Sequence, residues 1–144
     1  MQKILITLSI LFTQLFFAQS TSTLDSRENQ TIEVVVTNAL SDKGNLNFAL
    51  FDETSFLKSA PIMAKSSTIK NGKGKVVFKN VPAGTYAILC FHDENENLQM
   101  DFDTNGMPLE NYGATNNVLS YGPPQFTDAK FELTNKPLYF EINF

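Results

Sequence analysis

A single cysteine, Cys90, and a single histidine, His92, stand in a chain of 144 residues that contains no tryptophan. One cysteine excludes an internal disulfide, so the fold must rest on its apolar core. One histidine excludes a multi-histidine zinc or iron centre, and any Ser-His-Asp or Cys-His arrangement would depend on that one ring. Charge is also missing in blocks. No lysine or arginine lies between Asn80 and Ala129, where there are seven acids, and no acid lies between Thr54 and His92, where there are six lysines (58, 65, 70, 73, 75 and 79). A formal net charge of −4 argues against nucleic acid as a partner.

Long apolar runs are missing too, with one exception. Lys3 is followed by an almost unbroken apolar stretch from Ile4 to Phe17 and then by Ala18-Gln19-Ser20. This order predicts a secretory signal over 1–20, since the run is shorter than the ~20 residues of a membrane-spanning helix. No cysteine follows it to carry a lipid. The expected mature chain has no transmembrane segment and is exported, periplasmic or extracellular. Residues 21–30 are polar and read as a flexible N-terminus, and 31–144 as one domain, long enough to bury a core.

No helical period is sustained anywhere. Thr31 to Asn38 is rich in β-branched residues, and Asn45 to Asp52 alternates Leu46, Phe48 and Leu50 against polar or small residues. With the turn signal Asp42-Lys43-Gly44 between them, these predict a hairpin. A third strand near Met63 to Lys70 leads into Asn71-Gly72, the pair that best tolerates the positive φ angles of a two-residue hairpin turn, and Lys73 to Val81 is its expected partner. Thr85 to Phe91 is apolar on both faces, so its second face needs its own cover. The excursion from Glu94 to Pro124, carrying Met100, Phe102, Met107, Leu109, Tyr112, Val118, Leu119 and Tyr121, is the expected lid, while 52–61 reads as a loop or a single helical turn with Phe56 and Leu57 as plugs. Strands at 126–133 and 138–144 end the chain. The pattern predicts an all-β fold: an antiparallel seven-stranded Greek-key β-sandwich, immunoglobulin- or prealbumin-like, with a long acidic loop and lid after the fifth strand.

The richest chemistry lies between His92 and Gly106. Oxygen-bearing side chains alternate there as Asp93, Asn95, Asn97, Gln99, Asp101 and Asp103, with five carboxylates in the eleven residues from Asp93 to Asp103. Such a cluster repels itself unless solvent, salt or a hard cation offsets it, and calcium prefers carboxylate, amide and carbonyl oxygens. Taking Asp93 as the first position of an EF-hand-like loop puts Asn95, Asn97, the Gln99 carbonyl and Asp101 at ligand positions. Leu98 stands where the template has glycine and Thr104 where it has the closing glutamate, leaving Asp103 or Asp101 to close the shell. The expected ion is calcium, structural and weakly held; the alternative is a solvated loop of local turns.

Other residues suggest less specific chemistry. His92 with Asp93 and Glu94 supports a hydrolase-type reading on a glycan or peptide, and Cys90 shares the strand face of His92, although a buried, inert thiol is the simpler expectation. The lysines suit an anionic partner or guard a sheet edge. Tyr112, Asn116 and Asn117 combine a ring with amides, as a sugar platform does, and with His92 they form a candidate ligand face. Partners in view are an envelope protein or a glycan.

Val81-Pro-Ala-Gly-Thr-Tyr86, Phe91-His-Asp-Glu-Asn95, Asp101 and Tyr112-Gly-Ala-Thr-Asn-Asn117 together resemble the bacterial envelope family known as domain of unknown function 2141, across Ile32 to Phe144. Its pattern, His-Asp-x-Asn-x-Asn and then an aspartate, falls on His92, Asp93, Asn95, Asn97 and Asp101. Where relatives commonly carry glycine, this chain has Glu96-Asn97-Leu98. The resemblance implies an exported, sandwich-like domain with no established activity. The leading expectation is a non-enzymatic binding or structural module, with an enzyme built on His92 and a purely structural domain as alternatives.

Overall fold

The computed structural model describes residues 29–119 and 122–144. The signal segment, nearly all of the polar N-terminus and Tyr121 lie outside the described residues.

Among the described residues, eight strands form two packed sheets. They are β1 (Gln30–Val36), β2 (Asn45–Phe51), β3 (Met63–Thr68), β4 (Gly74–Val81), β5 (Gly84–Asp93), β6 (Tyr112–Ala114), β7 (Phe131–Leu133) and β8 (Leu138–Ile142). One sheet has the order β4-β1-β8; the other runs β3-β2-β5-β6, with β7 also pairing β5. Strict alternation along β1 and β2 turns Ile32, Val34, Val36, Leu46, Phe48 and Leu50 inward. They meet Phe78, Ile88, Cys90 and Ile142 between the sheets. Each large side chain buried there contributes ~1.5–3 kcal/mol.

Several expectations are corrected. Among the described residues there are eight strands where seven were expected, and the three-stranded sheet is mixed, because β1 pairs β8 in parallel. No β1–β2 hairpin forms: β1 pairs β4 and β8, while β2 pairs β3 and β5. The Asn71-Gly72 turn exists, with φ of 54° and 72°, but the strands it joins enter different sheets. Local residues set the turn; long-range apolar pairing chose the sheets. Residues 126–129 form a helical turn, α1, rather than part of a strand.

The second face of β5 does have its own cover. Ala87 is buried in a separate cluster with Phe51, Phe56 and Ala129, against which Ala49, Leu89, Ala114 and Phe126 pack. The cover therefore comes from the 52–62 connection and α1. The expected lid contributes chiefly Ala114 and Thr115, whose hydroxyl accepts from the Ile88 N–H at 3.1 Å and donates to the Ala129 carbonyl. Leu98, Phe102, Met107, Leu109, Val118 and Leu119 are exposed. Among the described residues, no helix is long and apolar enough to cross a membrane.

Candidate functional site

The acidic loop leaves the sheet at the last residue of β5. Asp93 is wholly buried, and its carboxylate accepts from the Asn47 amide on β2 at 2.8 Å, the Asn97 N–H at 3.1 Å and the Leu98 N–H at 2.9 Å. This buried anion therefore closes the loop on itself and ties it to the neighbouring strand. A carboxylate that collects several N–H groups holds them more firmly than a neutral acceptor does.

The alternating residues then turn toward one another. Asn95 accepts from the Asn97 N–H at 3.1 Å, and Asn97 accepts from the Gln99 N–H at 2.8 Å. The carboxamides of Asn95 and Asn97 both donate to Asp101, at 2.7 Å and at 3.0–3.1 Å. Glu96 and Leu98 hold φ of 59° and 63°. The left-handed region costs a residue with a Cβ ~1–2 kcal/mol, so the hydrogen bonds around Asp93 hold two ill-suited residues where glycine would sit freely.

Asp93, Asn95, Asn97 and Asp101 are thus brought together. Asp103 is not: its carboxylate accepts from the Asn105 and Met107 N–H groups, both at 2.8 Å, and caps its own turn. The Met107 N–H is the largest cause holding the Asp103 carboxyl below its ordinary range. Gln99 reaches the cluster through its backbone N–H. Two further residues brace the loop and carried no signal of that role in the sequence. Asn47 arrives only through the pairing of β2 with β5, and Glu110 accepts from the N–H groups of Glu94 and Asp101, each at 3.2 Å.

The donor chemistry suits a hard cation. The cluster holds two carboxylates and two amide oxygens, the donor types a hard cation takes, although turning either carboxamide to point its oxygen at Asp101 gives up the bond that oxygen now accepts, from the Asn97 N–H or the Gln99 N–H. Asp93 spends three of its roughly four acceptor sites within the protein, which limits it to about one further bond.

His92 belongs to the support of this loop rather than to a ligand face. It is wholly buried, and because a carbonyl can only accept, Nε2 donates to the Lys43 carbonyl at 2.7 Å. Nδ1 has no hydrogen-bond partner, and the nearest carboxylate, that of Glu94, is 4.0 Å away. The bond to Lys43 presses the β1–β2 connection onto the base of the loop. Gly44 permits that approach: it has φ of +70°, and a Cβ there would lie 2.0 Å from the Asp93 carbonyl. Cys90 is buried, and burial pushes its thiol well above the ordinary range, which suits an inert core residue.

The expected sugar platform is also committed internally. The Asn116 amide donates to the carbonyls of Asp128 and Lys130, at 2.9 and 3.0 Å. Asn117 donates to the Glu141 carbonyl and accepts from the Asn143 N–H, both at 2.8 Å. Tyr112 is half-buried and its hydroxyl reaches the Gly122 carbonyl at 3.5 Å. Their amides tether loops to strands. Among the described residues, no three of the histidine, cysteine, aspartate and glutamate side chains gather as a metal site would need, so the amides are essential to any cation site.

The sequence profile of a bacterial family described as "Uncharacterized protein conserved in bacteria (DUF2141)" matches residues 34–140. No curated protein matches the chain. Among solved structures it is similar to two of a pilus-presented adhesin (Cpa). One is 11% identical over 81% of this chain and 26% of the adhesin, with a TM-score of 0.26; the other is 13% identical over 78% and 27%, with a TM-score of 0.22. The chain spans about a quarter of that adhesin's length, and the likeness is too slight to transfer a role.

Proposed function

This chain belongs to the DUF2141 family of uncharacterized bacterial proteins, and from that premise we propose an exported, non-enzymatic binding or structural module of the cell envelope, steadied by calcium at its acidic loop. The observation that carries the calcium reading is the convergence of Asp93, Asn95, Asn97 and Asp101 through side-chain hydrogen bonds, with Leu98 and Glu96 held in a left-handed conformation. The ion would take the place of the amide protons that now face Asp101, drawing oxygens of Asn95 and Asn97 inward. Export is supported by the apolar segment from Ile4 to Phe17 and its small-residue flank. The non-enzymatic reading is supported by the enclosure of the sole imidazole, whose Nε2 is spent on a backbone carbonyl. Within the envelope, a glycan or another protein is the class of partner.

Calcium bound at ten times its dissociation constant adds about 1.4 kcal/mol to stability. For a domain of this size that raises the thermal midpoint by ~4–6 °C relative to excess chelator. Asp101→Ala, which leaves the closure around Asp93 in place, should abolish the rise. Equal midpoints with calcium and chelator in the unaltered protein would remove calcium from the reading.

A further inference from the structure

The acidic loop shares its end of the sandwich with two other connections. Asn45 at the start of β2 pairs with Thr68 on one side and Asp93 on the other. From this one row spring the 69–73 turn, the 37–44 connection and the acidic loop, in that order across the sheet. Asp42 fixes the first two together by accepting from the Asn71 and Gly72 N–H groups, at 2.8 and 2.7 Å. His92 fixes the second to the third through Lys43. The end is therefore a braced surface with a basic flank, a centre and an acidic flank.

Lys70 and Lys73 are exposed and have no acidic partner among the described residues; Lys75 alone in this turn region is paired, with Glu33 at 3.4 Å. These lysines, with Val35, Thr37 and Tyr139, line a shallow hollow of about 540 Å³. At the centre Leu40 is 80% exposed. Across from the lysines, Leu98, Phe102, Met107 and Leu109 project from the acidic loop, 57–73% exposed and flanked by Glu94, Glu96 and Asp103. The short pairing of Phe102 with Pro108 and the bonds Asp103 N–H to Met107 and Leu109 N–H to Asp101, 2.8 and 2.9 Å, make this excursion a formed finger. Apolar groups displayed on an ordered support mark a contact surface, and the acidic surround disfavours an anionic membrane as its occupant.

We propose that this end is the contact face of a two-fold symmetric dimer, the basic turn of each copy meeting the acidic finger of the other. A two-fold axis lying in the end surface, perpendicular to the line from basic to acidic flank, sets unlike charges opposite each other twice and brings the two Leu40 side chains together near the axis. An interface in which the same patch serves both copies is the commonest form of association. The single arrangement gives both flanks a partner of opposite charge. This goes beyond the calcium reading and does not require it.

Sedimentation velocity of the purified protein in excess chelator tests the proposal. A reversible monomer–dimer equilibrium is expected, with a dissociation constant of roughly 10–100 μM that rises about tenfold between low and high salt. Lys70→Glu with Lys73→Glu, and separately Glu94→Lys with Glu96→Lys, should each weaken association by about tenfold or more. An equimolar mixture of these two variants should regain it, because both contacts then pair unlike charges. Leu40→Asp, at an exposed position that leaves the fold intact by circular dichroism, should leave monomer alone. A protein monomeric up to ~1 mM, or a mixture of charge variants that associates no better than either alone, overturns the dimer. So does a monomer that binds heparin through Lys70 and Lys73, which would assign the basic flank to an anionic polysaccharide.

Discussion

Two connections leave the same sheet by the same device and end in opposite places. The 52–62 connection begins with Asp52, whose Oδ1 accepts from the Thr54 and Ser55 N–H groups and from both hydroxyls, at 2.8–3.0 Å. The acidic loop begins with Asp93, whose carboxylate likewise gathers the N–H groups ahead of it. Yet the first connection delivers Phe56 onto the outer face of β5, where its ring stands edge-on to Phe51 and Phe126 at 5.7 and 5.6 Å, while the second holds four large apolar side chains in solvent. What differs is where each closure aims the chain. The 52–62 connection folds back over its own sheet; a closure anchored through Asn47 carries the longer loop past the sheet's end. An apolar residue in a loop is therefore a cover or a contact surface according to the polar groups that fix the loop.

The largest test of that contrast is truncation. Phe56→Ala should cost ~3–5 kcal/mol, the range for emptying a buried aromatic site. Met107→Ala should stay within ~0.5 kcal/mol, as exposed positions do. Urea unfolding of both variants measures this. Similar losses would mean that the finger packs in solution and that the distinction between cover and contact surface is false.

The same contrast marks where the sequence stops being legible. Alternation in β1 and β2 and the two apolar faces of β5 identify the inter-sheet core, because burial imposes a period of two on any sheet. Asn71-Gly72 identifies a turn because its backbone demand is local. Which strands pair is a matter of distant partners, so the β1–β2 hairpin failed although the turn residues were there. Counting apolar groups suggested that 94–124 would cover β5, whereas Phe56 and Phe126 do so; composition states how much can be buried and not where. At the candidate site, the spacing of Asp93, Asn95, Asn97 and Asp101 was readable, since alternate residues around a tight closure share one side. Asn47 and Glu110 were not, because each arrives from another element.

Each connection also holds one leucine in the left-handed region, Leu57 at 52° and Leu98 at 63°, both exposed. Glycine relieves ~1–2 kcal/mol of strain and gives back ~0.5–1 through the freedom of the unfolded chain, so each replacement should stabilise by about 0.5 kcal/mol. The two should part in their response to calcium. Leu98→Gly loosens the closure around the oxygen cluster and should change the calcium-induced rise in the thermal midpoint, whereas Leu57→Gly should leave it unchanged. Identical responses would separate the cluster from the loop's geometry.

Acid supplies the smallest and most diffuse comparison, because the carboxylates involved face solvent. The Asp52 carboxyl is lowered to about 2, chiefly by the Ser55 hydroxyl and then by that of Thr54. Asp42 is lowered by the N–H groups of Gly72 and Asn71, and Asp103 by that of Met107. A carboxyl whose folded value lies below its unfolded one stabilises the fold fully above the unfolded value, and that contribution is lost as pH falls toward the folded value. Stability should thus be flat from neutrality to about pH 5 and decline from about pH 4 toward pH 2. Asp52→Asn, which keeps the shape of the cap but cannot ionise, should lower stability at neutral pH and flatten the decline when urea midpoints are followed from pH 7 to 2.5. If the decline keeps its full steepness in that variant, the acid sensitivity belongs to the finger end, where Asp103→Asn should then flatten it instead.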